Sequence, residues 1–74
     1  MLEVLSKREK DVLICLAQGL DDRQTAEKLG IAAPTVKNHI HRILRKLHVK
    51  SRTQAVAALY RQAGVLPEQV ISCL

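Results

Sequence analysis

Residues 21–47, DDRQTAEKLGIAAPTVKNHIHRILRKL, decide the fold of this chain. Asp21 and Gln24 have the spacing of a helix N-cap and the third residue of that helix. Gly30 can take the left-handed conformation that ends a helix. Pro34 is tolerated only in the first turn of a helix, so another helix, the third of the chain, is expected to begin beside it. The stretch predicts a helix of two turns, a short turn and a longer helix.

The longer helix is predicted over about Ala33–Leu47 and has one narrow apolar face. Its apolar residues follow the helical spacing i, i+4, i+7, i+8 and i+11, and they are Val36, Ile40, Ile43, Leu44 and Leu47. A face this narrow leaves most of the helix surface to polar side chains. The pattern is typical of a helix that packs on one side and is free on the other.

The segment before residue 21 predicts another helix. Ser6 and Glu9 have the spacing of a capping box, so this helix is expected to begin at Lys7, and Gly19 can end it. Its apolar face consists of Val12, Leu13, Leu16, Ala17 and Leu20. Cys15 lies at the margin of that face and is interpreted as a small packing residue.

The segment after residue 47 predicts a fourth helix, from Arg52 to about Ala63. Ser51 and Gln54 repeat the capping signature, and Gly64 is the expected stop. One apolar side consists of Ala55, Val56, Leu59 and Ala63. We expect an all-α, four-helix helix-turn-helix domain.

Size and composition exclude several classes of protein. Residues 1–74 are expected to form a single domain, with its core in about 5–66 and a short tail in 67–74. A chain this short has no room for a second lobe and a substrate cleft between lobes. It contains no carboxylate pair expected to converge on a pocket, no Gly-rich phosphate loop and no Ser/His/Asp set that so small a fold could assemble, so neither an enzyme nor a cofactor is indicated. No apolar run is long enough to cross a bilayer.

The cysteines and histidines do not indicate a metal site. Cys15 and Cys73 are too far apart for a metal-binding pair and too few for a disulfide framework, which favours a reducing cytoplasm. His39 and His41 are two positions apart and point about 200° away from each other on a helix, so they are not expected to chelate one ion.

Charge is distributed unevenly along the chain. The chain has 12 Lys or Arg and 7 Asp or Glu, which gives a formal net charge of +5. Residues 1–30 carry five basic and six acidic side chains, whereas residues 31–62 carry seven basic and no acidic ones. One interpretation is that these basic side chains only keep the protein surface hydrated and bind no partner. A run this long without an acid favours a surface that binds a polyanion.

Individual residues strengthen this interpretation, because many of them resemble one known family in register. They are Gly19-Leu20, Ala26, Leu29-Gly30-Ile31, Thr35-Val36-Lys37, His39, Lys46-Leu47, Val49, Ser51-Arg52 and Ala55-Val56. They closely resemble the LuxR/FixJ/NarL type of DNA-binding domain, also called GerE-like, over roughly Leu5 to Leu66. The resemblance implies that the second and third helices form a helix-turn-helix and that the fourth helix often pairs two copies on DNA. It implies sequence-specific binding of double-stranded DNA for bacterial transcription regulation.

The outward face of the third helix carries the candidate base-reading residues Lys37, Asn38 and His41. Lysine can donate to guanine, asparagine can pair with adenine, and histidine can donate or accept, and the resemblance points to the same positions. Phosphate contacts are expected from Thr35, Arg42, Arg45, Lys46, Lys50, Ser51 and Arg52. The candidate dimer interface is the second stripe of the fourth helix, formed by Thr53, Ala57 and Tyr60.

The chain departs from the family pattern at three positions. Thr25 stands where Ile is usual, Ala32 stands where a Ser N-cap is usual, and His48 stands where Gly is common. These departures are expected to affect stability rather than DNA contact.

Other functions and partners stay open at this point. The basic third helix also fits a protein-interaction module that docks on an acidic partner, and RNA polymerase is left open as a second partner. Single-stranded RNA is a weaker alternative, since the chain lacks stacking aromatic residues. The chain has no acidic phosphoacceptor cluster, so any sensing input is expected outside these residues. The expected location is the bacterial cytoplasm, at the nucleoid.

Overall fold

The computed structural model describes residues 2–63, which form a 3-10 turn and four α-helices. The 3-10 turn is Leu2–Val4, and the helices are α1 (Lys7–Ala17), α2 (Asp22–Leu29), α3 (Ala33–Lys46) and α4 (Arg52–Ala63). No strand occurs in these residues, so the all-α prediction is confirmed, and each helix begins where the sequence places it. The predicted stop at Gly64 and the tail 67–74 lie outside the described residues.

The first two helices begin with the predicted capping boxes. The Glu9 N–H donates to Ser6 Oγ at 3.1 Å, and the Ser6 N–H donates to Glu9 Oε1 at 2.8 Å. At α2, the Gln24 N–H donates to Asp21 Oδ1 at 2.8 Å, and the Asp21 N–H donates to Gln24 Oε1 at 3.0 Å. Both boxes satisfy donors that the helix itself leaves without partners.

The other two helices begin differently. Ala32 precedes α3 and provides no side-chain cap, while Pro34 lies in the first turn. At α4, the Gln54 N–H donates to Ser51 Oγ at 3.2 Å, as predicted. The Gln54 side chain, however, accepts from the Lys50 N–H at 2.7 Å and not from Ser51. The third capping signature therefore closes one residue further back than a standard box.

Three helices end with the same backbone geometry. Each end contains one left-handed residue: Gly19 has a φ of 84°, Gly30 of 70° and His48 of 56°. The following N–H donates back across the last turn, from Leu20 to the Cys15 oxygen at 3.1 Å, from Ile31 to Ala26 at 3.0 Å and from Val49 to Leu44 at 3.0 Å. These ends are Schellman motifs, two with glycine and one with histidine in the left-handed position.

The core lies between α1, α3 and the small residues of α2 and α4. Its buried apolar residues are Leu5, Val12, Leu13, Ala26, Val36, Ile40, Ile43, Leu47, Ala55 and Ala58. Ala58 was not predicted to be buried, and α4 contributes it in addition to the predicted Ala55. Cys15 is buried, and burial raises the pKa of its thiol, which fits a packing role. None of the four helices combines the length and apolar character that crossing a membrane requires.

Candidate nucleic-acid interface

The outer surface of α3 presents all three candidate base-reading residues to solvent. Lys37, Asn38 and His41 are exposed, whereas Val36 and Ile40 on the same helix are buried. The alternation follows from the helical period, since the buried residues share one face and the exposed residues share the opposite face. Lys37 and His41 are four residues apart and therefore neighbours on the helix surface. The first three turns of α3 thus carry polar groups able to donate and accept hydrogen bonds.

Further along α3, the exposed cations Arg42, Arg45 and Lys46 line a shallow depression of about 290 Å³. They are three and four residues apart, so their heads lie along one side of the helix. Thr35 is exposed in the first turn. Residues 31–62 contain no acidic side chain, so the surface that they form is positive along its length.

Lys46 has a partner that sequence analysis did not identify. Its Nζ lies 2.8 Å from Glu9 Oε1, the oxygen that also accepts from the Ser6 N–H. The Glu9 side chain is only 3% exposed. Burial favours the neutral acid, but hydrogen bonds from Lys46 and Ser6 outweigh it and hold the pKa of Glu9 below its ordinary value. One buried carboxylate therefore caps α1 and fixes the last turn of α3 to it.

Arg52 also has a carboxylate partner. Its guanidinium reaches Asp22 with both terminal nitrogens, at 2.7 Å to Oδ1 and 3.2 Å to Oδ2. The Asp22 side chain is 19% exposed, so this bidentate pair is partly shielded from water. It joins the first turn of α2 to the first turn of α4. Two of the seven candidate phosphate contacts therefore also hold the helices together.

The start of α4 combines a cation, a hydroxyl and free backbone donors. Lys50 and Ser51 are exposed beside the first turn. Because Ser51 Oγ accepts from the Gln54 N–H, its own proton remains available to donate outward. The N–H groups of a first helical turn also favour anions. These are the features from which the sequence predicts a phosphate contact at this corner of the molecule.

The candidate dimer residues border an open groove of about 550 Å³ between α4 and the end of α1. Thr53 is exposed, Ala57 and Tyr60 are half-buried, and the other wall includes Leu16 and Leu20. The Tyr60 hydroxyl donates to the Ala17 carbonyl at 3.5 Å, a long hydrogen bond. The stripe formed by Thr53, Ala57 and Tyr60 therefore contacts α1 along one edge and is exposed to solvent along the other.

Two buried polar atoms have no hydrogen-bond partner among the described residues. They are Thr25 Oγ1 in α2 and His39 Nδ1 in α3. Thr25 is fully buried at the position where the family pattern has Ile, so a hydroxyl lies in the core at this point of α2. His39 is half-buried while His41 is exposed, so the two rings occupy different environments.

Comparison with known proteins identifies a family of regulatory proteins that share this domain. Residues 3–59 match the family model described as bacterial regulatory proteins, luxR family. The chain is 51% identical over 61 residues to the nitrate/nitrite response regulator protein NarP of Escherichia coli, covering 82% of this chain and 28% of that protein. It is 46% identical over 65 residues to the uncharacterised transcriptional regulatory protein YxjL of Bacillus subtilis, covering 88% and 30%.

A third relative has a name that describes the same type of domain. The HTH-type transcriptional activator RamA of Corynebacterium glutamicum is 46% identical over 63 residues, or 85% of this chain and 22% of that protein. The chain thus spans less than a third of the length of each of these relatives. The comparisons confirm the predicted resemblance and the predicted class of function, DNA-binding transcription regulation. The family is one of regulators and not of enzymes.

Proposed function

The chain belongs to the LuxR family of bacterial regulatory proteins, and on this premise we propose that it binds double-stranded DNA with α3 in the major groove. The observation that carries the proposal is the division of α3 into two faces. Val36, Ile40 and Ile43 are buried on one face, and Lys37, Asn38 and His41 are exposed on the other. A helix held in this way can enter a groove with its polar face while its apolar face stays in the core.

Sequence discrimination comes from Lys37, Asn38 and His41, and affinity comes from the flanking groups. The flanking groups are Thr35, Arg42, Arg45, Lys46, Lys50, Ser51 and Arg52. Arg42, Arg45 and Lys50 form no ion pair with another described residue and are free to bind phosphates. Lys46 and Arg52 keep their carboxylate partners when DNA is bound. Because each carboxylate neutralises part of the cation's charge, these two residues attract a phosphate less strongly. Arg42 and Arg45 should therefore contribute more to affinity than Lys46 and Arg52.

Two copies pair through Thr53, Ala57 and Tyr60 on adjacent half-sites. The small side chain of Ala57 allows two α4 helices to approach closely, and the open edge of the groove leaves room for the second copy. The patch is too small for a stable dimer in dilute solution, so pairing depends on the shared DNA. Ala57→Glu should remove cooperative binding to paired half-sites and leave single-site binding measurable. Unchanged cooperativity would exclude this interface.

The proposed setting is the regulation of transcription in the bacterial cytoplasm, without a catalytic step. The direct test is a mobility-shift comparison of duplex DNA, single-stranded DNA and RNA over a range of salt concentrations. We expect duplex binding whose logarithm falls linearly with the logarithm of salt concentration, with a slope of about −0.9 for each phosphate neutralised. Equal binding to all three nucleic acids, or an affinity that salt does not change, would contradict the proposal.

A further inference from the structure

The three Schellman ends differ in one respect that their geometry does not explain. The left-handed residue is glycine after α1 and α2 but histidine after α3. A Cβ built on Gly19 or Gly30 would meet no heavy atom within 4 Å, so space is not what selects glycine there. Glycine is favoured there by the backbone conformation, because in a left-handed residue a Cβ comes too close to the following carbonyl oxygen. His48 adopts the same conformation with a side chain that this contact disfavours.

Within the described part of the chain, the His48 side chain makes no contact that would stabilise the fold. The residue is exposed, and its imidazole forms no hydrogen bond or ion pair with another described residue. The backbone interactions of this turn are made by N–H groups, from His48 to the Arg45 oxygen at 3.2 Å and from Val49 to Leu44 at 3.0 Å. Glycine would make the same two bonds without the cost of a Cβ.

The position of His48 does suggest a role. It lies in the turn between α3 and α4, with Lys46 on one side in sequence and Lys50 and Ser51 on the other. These neighbours belong to the two groups of proposed phosphate contacts, one along α3 and one at the start of α4. Two acids that contact these groups, Glu9 and Asp22, are paired with Lys46 and Arg52. The exposed imidazole therefore lies between cations in the sequence, and no carboxylate of the described residues pairs with it.

We propose that His48 is a DNA-contact residue whose imidazole N–H donates to a phosphate oxygen and joins the two groups of phosphate contacts. This inference rests on the proposed binding of duplex DNA. The imidazole has at least one N–H donor in either protonation state, so the contact does not require a charged ring. The histidine is kept at a position where glycine would make the free protein more stable. This departure from the family pattern therefore affects both stability and DNA contact.

The test uses His48→Gly, His48→Asn and His48→Lys in the full chain, with duplexes carrying a selected site and a scrambled site at one salt concentration. His48→Gly should raise the melting temperature of the free protein and weaken binding to both duplexes by a similar factor, roughly threefold to tenfold. His48→Asn tolerates the left-handed conformation but is too short to reach, so it should lose affinity to the same extent. His48→Lys supplies another donor and should stay within about twofold of the wild type.

Each alternative result overturns the proposal in a distinct way. Unchanged affinity of His48→Gly would mean that the imidazole does not touch DNA. Loss in the glycine variant alone, with His48→Asn like the wild type, would assign the effect to backbone freedom. Loss confined to the selected site would make His48 a base reader and not a phosphate contact. An unchanged melting temperature would show that histidine is not held at a cost. Failure of the proposed function looks different, because the wild-type chain itself would then not bind duplex DNA.

Discussion

The two helices of the helix-turn-helix are stabilised in contrasting ways. Helix α2 is short, and its local sequence satisfies both ends, with the Asp21 capping box at the start and Gly30 at the stop. Helix α3 begins after Ala32 without a side-chain cap and ends at a left-handed His48. Local signals alone would make α2 the better-formed helix of the two.

Tertiary contacts compensate for the poor ends of α3. Val36 and Ile43 are completely buried, and Lys46 is bound to the buried Glu9. Helix α2, by contrast, buries only Thr25 and Ala26, and the Thr25 hydroxyl has no partner among the described residues. Helix α2 is therefore defined by its local sequence, and helix α3 by the residues against which it packs. An element anchored from one side can present its other side to a ligand without losing its position.

The anchor of α3 is therefore where the largest effect is expected. Glu9→Ala removes both the α1 capping partner and the partner of Lys46, and should lower the free energy of unfolding by about 2–3 kcal/mol. Urea unfolding of the variant and the wild type measures this difference in the free energy of unfolding. Glu27→Ala is the matched control, since Glu27 pairs with Arg23 at 3.5 Å where both side chains are largely exposed, and should cost less than about 0.5 kcal/mol. Equal losses in the two variants would show that α3 has no such anchor.

The same anchor should respond to acid. The pKa of Glu9 is lowered from its ordinary 4.5 in the folded chain, so its contribution to stability is present above that value and is lost as the pH falls through the lower folded pKa. The stability difference between the wild type and Glu9→Gln should be constant between about pH 7 and 5.5 and shrink at lower pH. Unfolding curves at several pH values measure this difference. A difference that grew on acidification would reverse the assigned sign.

Exchanging the N-terminal signals of the two helices tests the contrast between them. Asp21→Ala should destabilise the chain by about 1 kcal/mol, because it removes the cap on which α2 depends. Ala32→Ser gives α3 the cap that it lacks and should add up to about 1 kcal/mol. Thermal unfolding of both variants beside the wild type gives the comparison. If Asp21→Ala had no effect, α2 would also be held by packing and the contrast would fail.

The smallest expected effect concerns the core of α2. Thr25→Val keeps the shape of the side chain and removes a fully buried hydroxyl that has no partner among the described residues. It should stabilise the chain by about 0.5–1 kcal/mol. Thr53→Val, at an exposed position of α4, should change stability by less than about 0.5 kcal/mol. Destabilisation by Thr25→Val, measured by thermal unfolding, would mean that the hydroxyl makes a hydrogen bond.

Local signals in the sequence were sufficient to predict the four helices and the exposed face of α3. Caps, glycines and proline act over a few residues, so their spacing predicts where each helix begins. The Glu9–Lys46 and Arg52–Asp22 pairs join residues 37 and 30 positions apart, and no local pattern indicates them. One signal for Glu9 was present, because it lies three and four residues before the buried Val12 and Leu13 and so shares their face. Ala58 lies between the two predicted stripes of α4, and only the packing of the helices shows that it is buried.

In the proposed function, the outer face of α3 reads the DNA sequence while its flanks bind phosphates. Binding titrations of Lys37→Ala and Arg42→Ala against a selected duplex and a scrambled one test it most directly. Lys37→Ala should lose about 1–3 kcal/mol of binding free energy on the selected duplex and clearly less on the scrambled one. Arg42→Ala should lose similar amounts on both duplexes. If Lys37→Ala weakens both duplexes equally, α3 is a phosphate clamp and the assignment of its outer face to base reading is wrong.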